Sequence, residues 1–332
     1  MAVPNERQFS GCLIGQCLGD ALGFVVEGQP PEVCREYVEE TLKKGNVEEC
    51  SSGAFAFGQY SDDSQLAREL LQSYAARGQF DPQDYASRIA ILFTEGRIVG
   101  GGEEPGQAAR RLAAGVSWEE AGTPPPSADN GSAMRAGPVG LLFFDDPEKM
   151  VRVAHDQGRI THGDLRCSAG AVAVAGAVAL ALQGEEIEAQ RFLSQLAEWA
   201  DSIEESVASA LRQLREWVSL PPEETASLVS KLGRSSDYPH EGPGIPPFVT
   251  TSVLWSLYSF LKTPEDYWET VCMAIAVGGD VDTTAAMAGA ISGAYLGLEA
   301  IPPRLARRLN DQQTWAFDEL VELAHLCYRL KT

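Results

Sequence analysis

Two short segments, far apart in the chain, concentrate the residue types that could do chemistry. Ser61-Asp62-Asp63-Ser64 precedes the apolar positions Leu66, Leu70 and Leu71, and Gly278-Gly279-Asp280-Val281-Asp282-Thr283 follows the apolar run 273–277. Each offers two aspartates and a hydroxyl residue at the expected start of a helix. Singly, each also reads as ordinary capping, because serine is a good N-cap and aspartate in a first turn opposes the helix dipole. Jointly they offer more. If the fold brings the two helix starts together, four carboxylates converge, and these repel one another unless protonated or separated by cations. Carboxylate and hydroxyl oxygens are hard ligands, suited to Mg²⁺, Mn²⁺ or Ca²⁺ rather than Zn²⁺. Two such ions roughly 3.5–4 Å apart orient a substrate and activate water.

Four other places could line a cleft, and each has an alternative use. Glu27 closes the run Gly23-Phe24-Val25-Val26-Glu27-Gly28, as a site acid or a solvated helix end. Gly100-Gly101-Gly102 could present backbone N–H groups to phosphate or simply turn the chain. Asp129-Asn130-Gly131-Ser132 is good turn chemistry and equally a polar loop able to hold ligand hydroxyls or phosphates. His162, one of only four histidines, stands just before an apolar helix as a ligand contact or a structural residue. The chain lacks GxxxxGK[ST], GxGxxG after a strand, HExxH and GxSxG. P-loop hydrolysis, Rossmann redox chemistry, zincin proteolysis and serine esterase chemistry therefore lose support.

The elements that must position these residues are helices. Alternating β-branched runs are nearly absent. Helical periodicity predicts helices at 9–26, 62–76, 82–93, 106–114, 168–182, 187–220, 248–262, 264–277, 283–297 and 303–328, with irregular segments at 100–105, 122–132 and 233–247. No long linker divides the chain, so residues 1–332 are expected to form one compact all-α domain. Two helices carry stripes of small residues four apart: Gly11, Gly15, Gly19 and Gly23 on the first, and Ala285, Gly289, Gly293 and Gly297 on the late one. Residues four apart share a face, and a helical glycine costs roughly 1 kcal/mol against alanine. The stripes therefore mark helices that approach another backbone closely at the centre of the molecule.

Composition bounds the partners. The chain has 332 residues, 44% hydrophobic, with 26 Lys+Arg against 47 Asp+Glu, a net charge of −21. That supports a large core and opposes non-specific binding to nucleic acid or anionic lipid. An anionic small ligand would need a local positive device, a metal or a helix N-terminus. Seven scattered cysteines with no CxxC argue against a disulfide framework or zinc ribbon, and the first residues lack the pattern of a signal peptide. The most apolar stretch, 167–182, is too short to span a bilayer. A cytoplasmic location is expected.

With these pieces in place the sequence resembles the ADP-ribosylglycohydrolase family, which includes the dinitrogenase-reductase-activating glycohydrolases and the ADP-ribosyl-acceptor hydrolases. The matching pieces run in the family's order: GCLIGQCLGDALG with Glu27 after it, SDDSQL, the glycine-rich stretch before GQAARRLAAG, NGSAMRAGPVGLL, ITHGDLRCSAGA and GGDVDTTAAMAGAISGAYLG. The resemblance implies an all-α orthogonal bundle holding two divalent cations, Mg²⁺ or Mn²⁺, on Ser61, Asp62, Asp63, Asp280, Asp282 and Thr283. The family usually has threonine where this chain has Ser61, which keeps the hydroxyl but restrains it less. Glu27 falls where some members place a glutamate that closes over the site. Gly100, Gly101, Gly102, Ser127, Asn130, Gly131, Ser132 and His162 fall where members bind the diphosphate and riboses.

The implied reaction is metal-dependent hydrolysis of the glycosidic bond joining ADP-ribose to an acceptor, an ADP-ribosylated protein or related conjugate. Asp62, Asp63 or Glu27 would position or deprotonate the water. Arginine, serine, a nucleobase, an acetyl ester and a polymer remain open as acceptors. Two alternatives compete: a two-metal phosphoesterase acting on a nucleotide or sugar phosphate, and a non-catalytic family member with a structural or binding role. Retention of both aspartate pairs opposes the second.

Overall fold

The computed structural model describes residues 4–47, 50–232 and 242–332. Helix α1 (Glu6–Gly23) is opened by a capping box, in which the Asn5 side chain accepts from Arg7 N and Gln8 N while Gln8 accepts from Asn5 N. Helix α2 (Pro31–Glu36) continues into a π-helical turn (Tyr37–Leu42), and a small antiparallel hairpin, β1 (Ser51–Ser52) and β2 (Phe55–Ala56), follows. Then come α3 (Asp62–Arg77), α4 (Pro82–Thr94), α5 (Glu103–Ala113), α6 (Gly137–Phe143), α7 (Pro147–Arg159), α8 (Leu165–Ala181), α9 (Ala189–Asp201) and α10 (Glu205–Trp217). The chain ends with α11 (Pro222–Val229), α12 (Val249–Lys262), α13 (Tyr267–Ala276), α14 (Val281–Leu296), α15 (Pro303–Ala306) and α16 (Phe317–Lys331). The expected all-α fold is the one observed.

The two glycine-bearing helices pack on each other. A Cβ at Gly11, Gly15 or Gly19 would fall 2.3, 2.4 and 2.1 Å from the carbonyl oxygens of Gly293, Gly289 and Ala285, and one at Gly23 would fall 2.5 Å from Asp282 Cα. Real Cβ atoms do not approach so closely, so the contact is made by backbone alone. Rising numbers on α1 meet falling numbers on α14, so the pair is antiparallel. That direction has a chemical consequence: the C-terminal end of α1, with Asp20 and then Glu27, arrives beside the acidic start of α14. Helices α8, α12 and α13 pack around α14, while α3 and α16 pack against α1. Nearly every residue of α1, α8 and α14 is buried.

Several boundaries differ from the sequence expectation. The segment 187–220 breaks at 202–204, where the Glu204 side chain accepts from Ser206 N and Val207 N and caps a new helix. The segment 303–328 is a four-residue helix, an irregular stretch and then α16. Helix α5 begins at Glu103, ahead of its expected start, and Asp266 caps α13 at Tyr267. Helices α2, α6, α7 and α11 lie outside the expected set. Helix α6 opens Gly-Pro, which reads locally as a turn, yet Gly140 lets it press on α8, where an added Cβ would fall 2.2 Å from Ala175 O. Residues 233–241 of the irregular segment expected at 233–247 lie outside the described residues.

Candidate metal centre and substrate cleft

Asp62 and Asp63 open α3, and Ser61 caps it, its hydroxyl accepting from Asp63 N at 3.3 Å and donating to Asp63 Oδ2 at 2.9 Å. The start of α3 is also held from α1. Asp20 Oδ1 accepts from Ser61 N at 2.9 Å and Oδ2 from Ser64 N at 3.1 Å. A carboxylate from one helix thus occupies the positive end of another. Gln16, one turn earlier on α1, donates to Asp63 O and Met134 O, both at 3.0 Å.

The second acidic segment is threaded between two strands of loop. Gly279 N donates to Gln29 O at 2.9 Å and Gly28 N to Gly279 O at 2.8 Å on one side. Ile245 N donates to Gly278 O and Asp280 N to Ile245 O, both at 2.9 Å, on the other. A Cβ at Gly278 would lie 2.6 Å from Pro31 N, and one at Gly279 2.2 Å from Ile245 O; both residues have positive φ, 75° and 86°. Only glycine fits there. The same pairing carries the Glu27 turn to the cleft.

The two helix starts converge. Carboxylate oxygens of Asp20, Asp63 and Asp282 lie within 4.8 Å of one another, and so do those of Glu27, Asp280 and Asp282. Thr283 Oγ1 donates to Asp63 Oδ2 at 3.4 Å, tying α14 to α3. Burial, reinforced by the neighbouring acids, pushes these carboxyls up: Asp62 to about 8, Glu27 to about 7, and Asp63 and Asp282 well above the ordinary carboxylate range. Asp20 and Asp280 are raised by burial to about 6 against opposing hydrogen bonds. Glu27 stands at the surface, but its carboxyl faces the other acids. Asp63 Oδ1 is buried with no hydrogen-bond partner. An orphaned carboxyl oxygen among crowded carboxyls fits a hard divalent cation, for which these oxygens are the preferred donors.

Glu27, Asp62, Asp63, Asp280, Asp282 and Thr283 line a cleft whose loop-built wall is Gly100, Gly102, Asp129, Asn130 and Gly131. Among the described residues no lysine or arginine lines it. Asn130 donates from Nδ2 to Asp280 Oδ2 and, at 2.8 Å, to Ser252 Oγ, so it holds a site carboxylate. Gly101, Ser127, Ser132 and His162 stand behind this wall. Ser132 donates to Cys167 O at 2.8 Å, Ser127 pairs with Glu104, and a Cβ at Gly101 would face Ile98 and Phe93. His162 is 1% exposed, with Nδ1 2.7 Å from Thr161 Oγ1 and Nε2 against Asp129. Burial alone would raise Asp129, but the His162 ring beside it holds that carboxyl below the ordinary range.

Two site residues escape a reading of the sequence. Asp129 is visible there as part of a turn or polar ligand loop, but not as a carboxylate beside the acidic cluster. Asp20 has a usable signal, as the one charged residue between positions 9 and 26; an acid in so apolar a helix needs a partner to be buried.

The whole chain, residues 2–331, matches the model of the ADP-ribosylglycohydrolase family. The chain belongs to the ADP-ribosylglycohydrolase family. It is 31% identical to ADP-ribosylhydrolase ARH3 of Gallus gallus, over 98% of this chain and 94% of that one. It is 24% identical to the ADP-ribosylarginine hydrolase Tri1 of Pseudomonas putida, over 90% of this chain and 73% of that one. A solved structure of an ADP-ribosylglycohydrolase-related protein complex superposes with a TM-score of 0.72 at 26% identity, over 98% and 99% of the two chains. The expected resemblance therefore holds, and this is an ADP-ribosyl hydrolase by family. No helix among the described residues is long and apolar enough to cross a membrane.

Proposed function

We propose that this chain, working as one domain, hydrolyses the glycosidic bond between ADP-ribose and a protein side chain or related conjugate, with two Mg²⁺ or Mn²⁺ ions in the acidic cleft. The single observation that carries this reading is the pair of carboxylate trios that share Asp282. The ligand set is Asp62, Asp63, Asp280 and Asp282 with the hydroxyls of Ser61 and Thr283, and Glu27 stands at the surface beside them. Bound there, the ions supply charge neutralisation and polarise ribose hydroxyls and water.

The chain's own residues account for the rest. The bond from the anomeric carbon to the acceptor breaks as the carbon passes through a positively charged state, the water oxygen takes the acceptor's place, and the proton the water gives up is passed by a carboxylate to the departing acceptor atom. Glu27, raised to about 7 by burial, Asp280 and Asp20, can hold and release a proton near neutral pH, the range in which a general base works best. Asp62 and Asp63 share the task of orienting the water. In the loop-built wall, Gly100 and Gly102 offer backbone rather than side-chain contacts, as a diphosphate requires in a cleft without cationic side chains, while Gly131 N donates to Asp129 Oδ1 at 3.2 Å. Gly101, Ser127, Ser132 and His162 support that wall from behind. Six of the seven cysteines are buried free thiols, which supports a cytoplasmic setting.

The test offers arginine-linked and serine-linked ADP-ribosyl peptides with Mg²⁺ or Mn²⁺ to wild type and Asp282→Ala. Wild type is expected to release ADP-ribose from at least one, and Asp282→Ala from neither. Equal turnover by both proteins removes Asp282 from the mechanism, and release of phosphate or a mononucleotide would mark a phosphoesterase.

A further inference from the structure

The glycines at 100–102 have no side chains with which to hold their place, and the strand leading to them is held by amides from two distant parts of the chain. Gln65, on α3, donates from Nε2 to Arg97 O at 2.9 Å and accepts at Oε1 from Val99 N at 2.9 Å. Asp62 N donates to Val99 O at 2.8 Å. Gln312, in the stretch between α15 and α16, donates from Nε2 to the same Arg97 O at 2.7 Å. Both glutamines are organised by Asp311. Its Oδ1 accepts from Gln65 Nε2 at 2.7 Å and Gln59 Nε2 at 3.2 Å, and its Oδ2 from Arg68 Nη1 at 2.6 Å. Asp311 is 5% exposed, so these donors are what makes its charge tolerable.

Gln65 is over-determined as a result. Both of its amide hydrogens and its oxygen have partners, so turning the amide over would break three bonds at once. Asp311 and Thr314 exchange backbone hydrogen bonds of 2.7 and 2.8 Å, and the turn they close puts Gln312 at φ 49°. The strand ends at Gly100, where a Cβ would fall 3.5 Å from Asp62 Oδ1. The bracket therefore sets how the glycine backbone sits against the acidic wall.

We propose that Asp311, Gln65 and Gln312 are positioning residues that fix the glycine loop for the diphosphate of ADP-ribose. The proposal rests on the reading of that loop given above. Gln312→Gly deletes one amide and suits the local φ, so the turn survives. Gln65→Glu keeps the acceptor for Val99 N, loses the donor to Arg97 O and sets a carboxylate against Asp311. In Mn²⁺-loaded protein, ADP-ribose is expected to bind about fivefold more weakly to Gln312→Gly and about tenfold more weakly to Gln65→Glu. KM should rise in step, while kcat and Mn²⁺ affinity stay within about twofold of wild type. Hydrogen exchange at 97–102 should quicken in both. Unchanged ADP-ribose affinity in a folded Gln312→Gly overturns the proposal, as does an equal loss of Mn²⁺ affinity, which would mean general loosening. Wild type that binds no ADP-ribose at all overturns the underlying reading of the loop, and the bracket's role with it.

Discussion

The two walls of the cleft are built on opposite principles. One is made of helix starts: Asp62 and Asp63 on α3, held by Asp20, and Asp282 and Thr283 on α14, fixed by a backbone contact with α1 so close that side chains are excluded from it. The other is made of loops, with the backbone of Gly100, Gly102 and Gly131 beside Asp129 and Asn130. The acidic wall stores electrostatic repulsion and needs rigidity to keep it. The loop wall carries one carboxylate, Asp129, offset by the His162 ring beside it, and its backbone needs only to be aimed. Catalysis is therefore expected to be sensitive to charge and helix spacing on one side, and to fine placement on the other.

The largest effect tests the charge. Asp63→Asn keeps shape and removes the orphaned anion. If metal binding supplies several kcal/mol to the transition state, turnover falls by roughly a thousandfold, while the metal-free melting temperature rises because one repelled carboxyl is gone. Turnover within tenfold of wild type would break the contrast between the walls. Next comes spacing. Gly19→Ala drives a Cβ to 2.1 Å from Ala285 O, and overpacking of this kind costs on the order of 3 kcal/mol; calorimetry measures it, and activity should fall with it.

The pH dependence is third. Asp20 and Asp280 at about 6, Glu27 at about 7 and Asp62 at about 8 all stand above their unfolded values. Between pH 4 and 8 the native state then binds more protons than the unfolded one. The stability these groups contribute is complete below about pH 4 and is lost as pH rises through 6 to 8. Metal-free protein should lose stability steadily across that window, and Mn²⁺ should restore it, releasing protons on binding that calorimetry in two buffers can count. A flat metal-free profile would show that the acids are not crowded. The smallest effects belong to the loop wall. Gly100 has φ 76°, so Gly100→Ala should cost about 1 kcal/mol and weaken ADP-ribose more than Mn²⁺. Gly102→Ala, whose Cβ would meet only Pro105 at 3.5 Å, should change stability by less than about 0.5 kcal/mol.

How much the sequence makes legible follows the same division. The acidic helix starts are legible because capping, charge and apolar periodicity are local and coincide at Ser61–Asp63 and Asp280–Thr283. The loop wall is legible as turn chemistry or as ligand loops with nothing local to choose between them, so residues that line it, such as Asn130 and Gly131, stand undistinguished from Ser132 and His162, which support it. Asp311 gives no signal at all: its partners Gln59, Gln65 and Arg68 lie at the other end of the chain. Helix α6 escapes prediction because Gly-Pro and Gly140 obey packing against α8 rather than local propensity.

By itself, the sequence determined that the fold would be all-α and where most of its longer helices lie, which helices would be glycine-faced, and that two pairs of aspartates would sit at helix starts. Each follows from side-chain chemistry acting over a few neighbouring residues. Tertiary structure alone decided that the glycine faces meet each other, that they run antiparallel, and that Asp20 and Glu27 are thereby delivered to the start of α14. The physical reason is that a stripe of glycines specifies closeness without specifying a partner. The partner is selected only when the whole core packs, and with it the place where the acids collect.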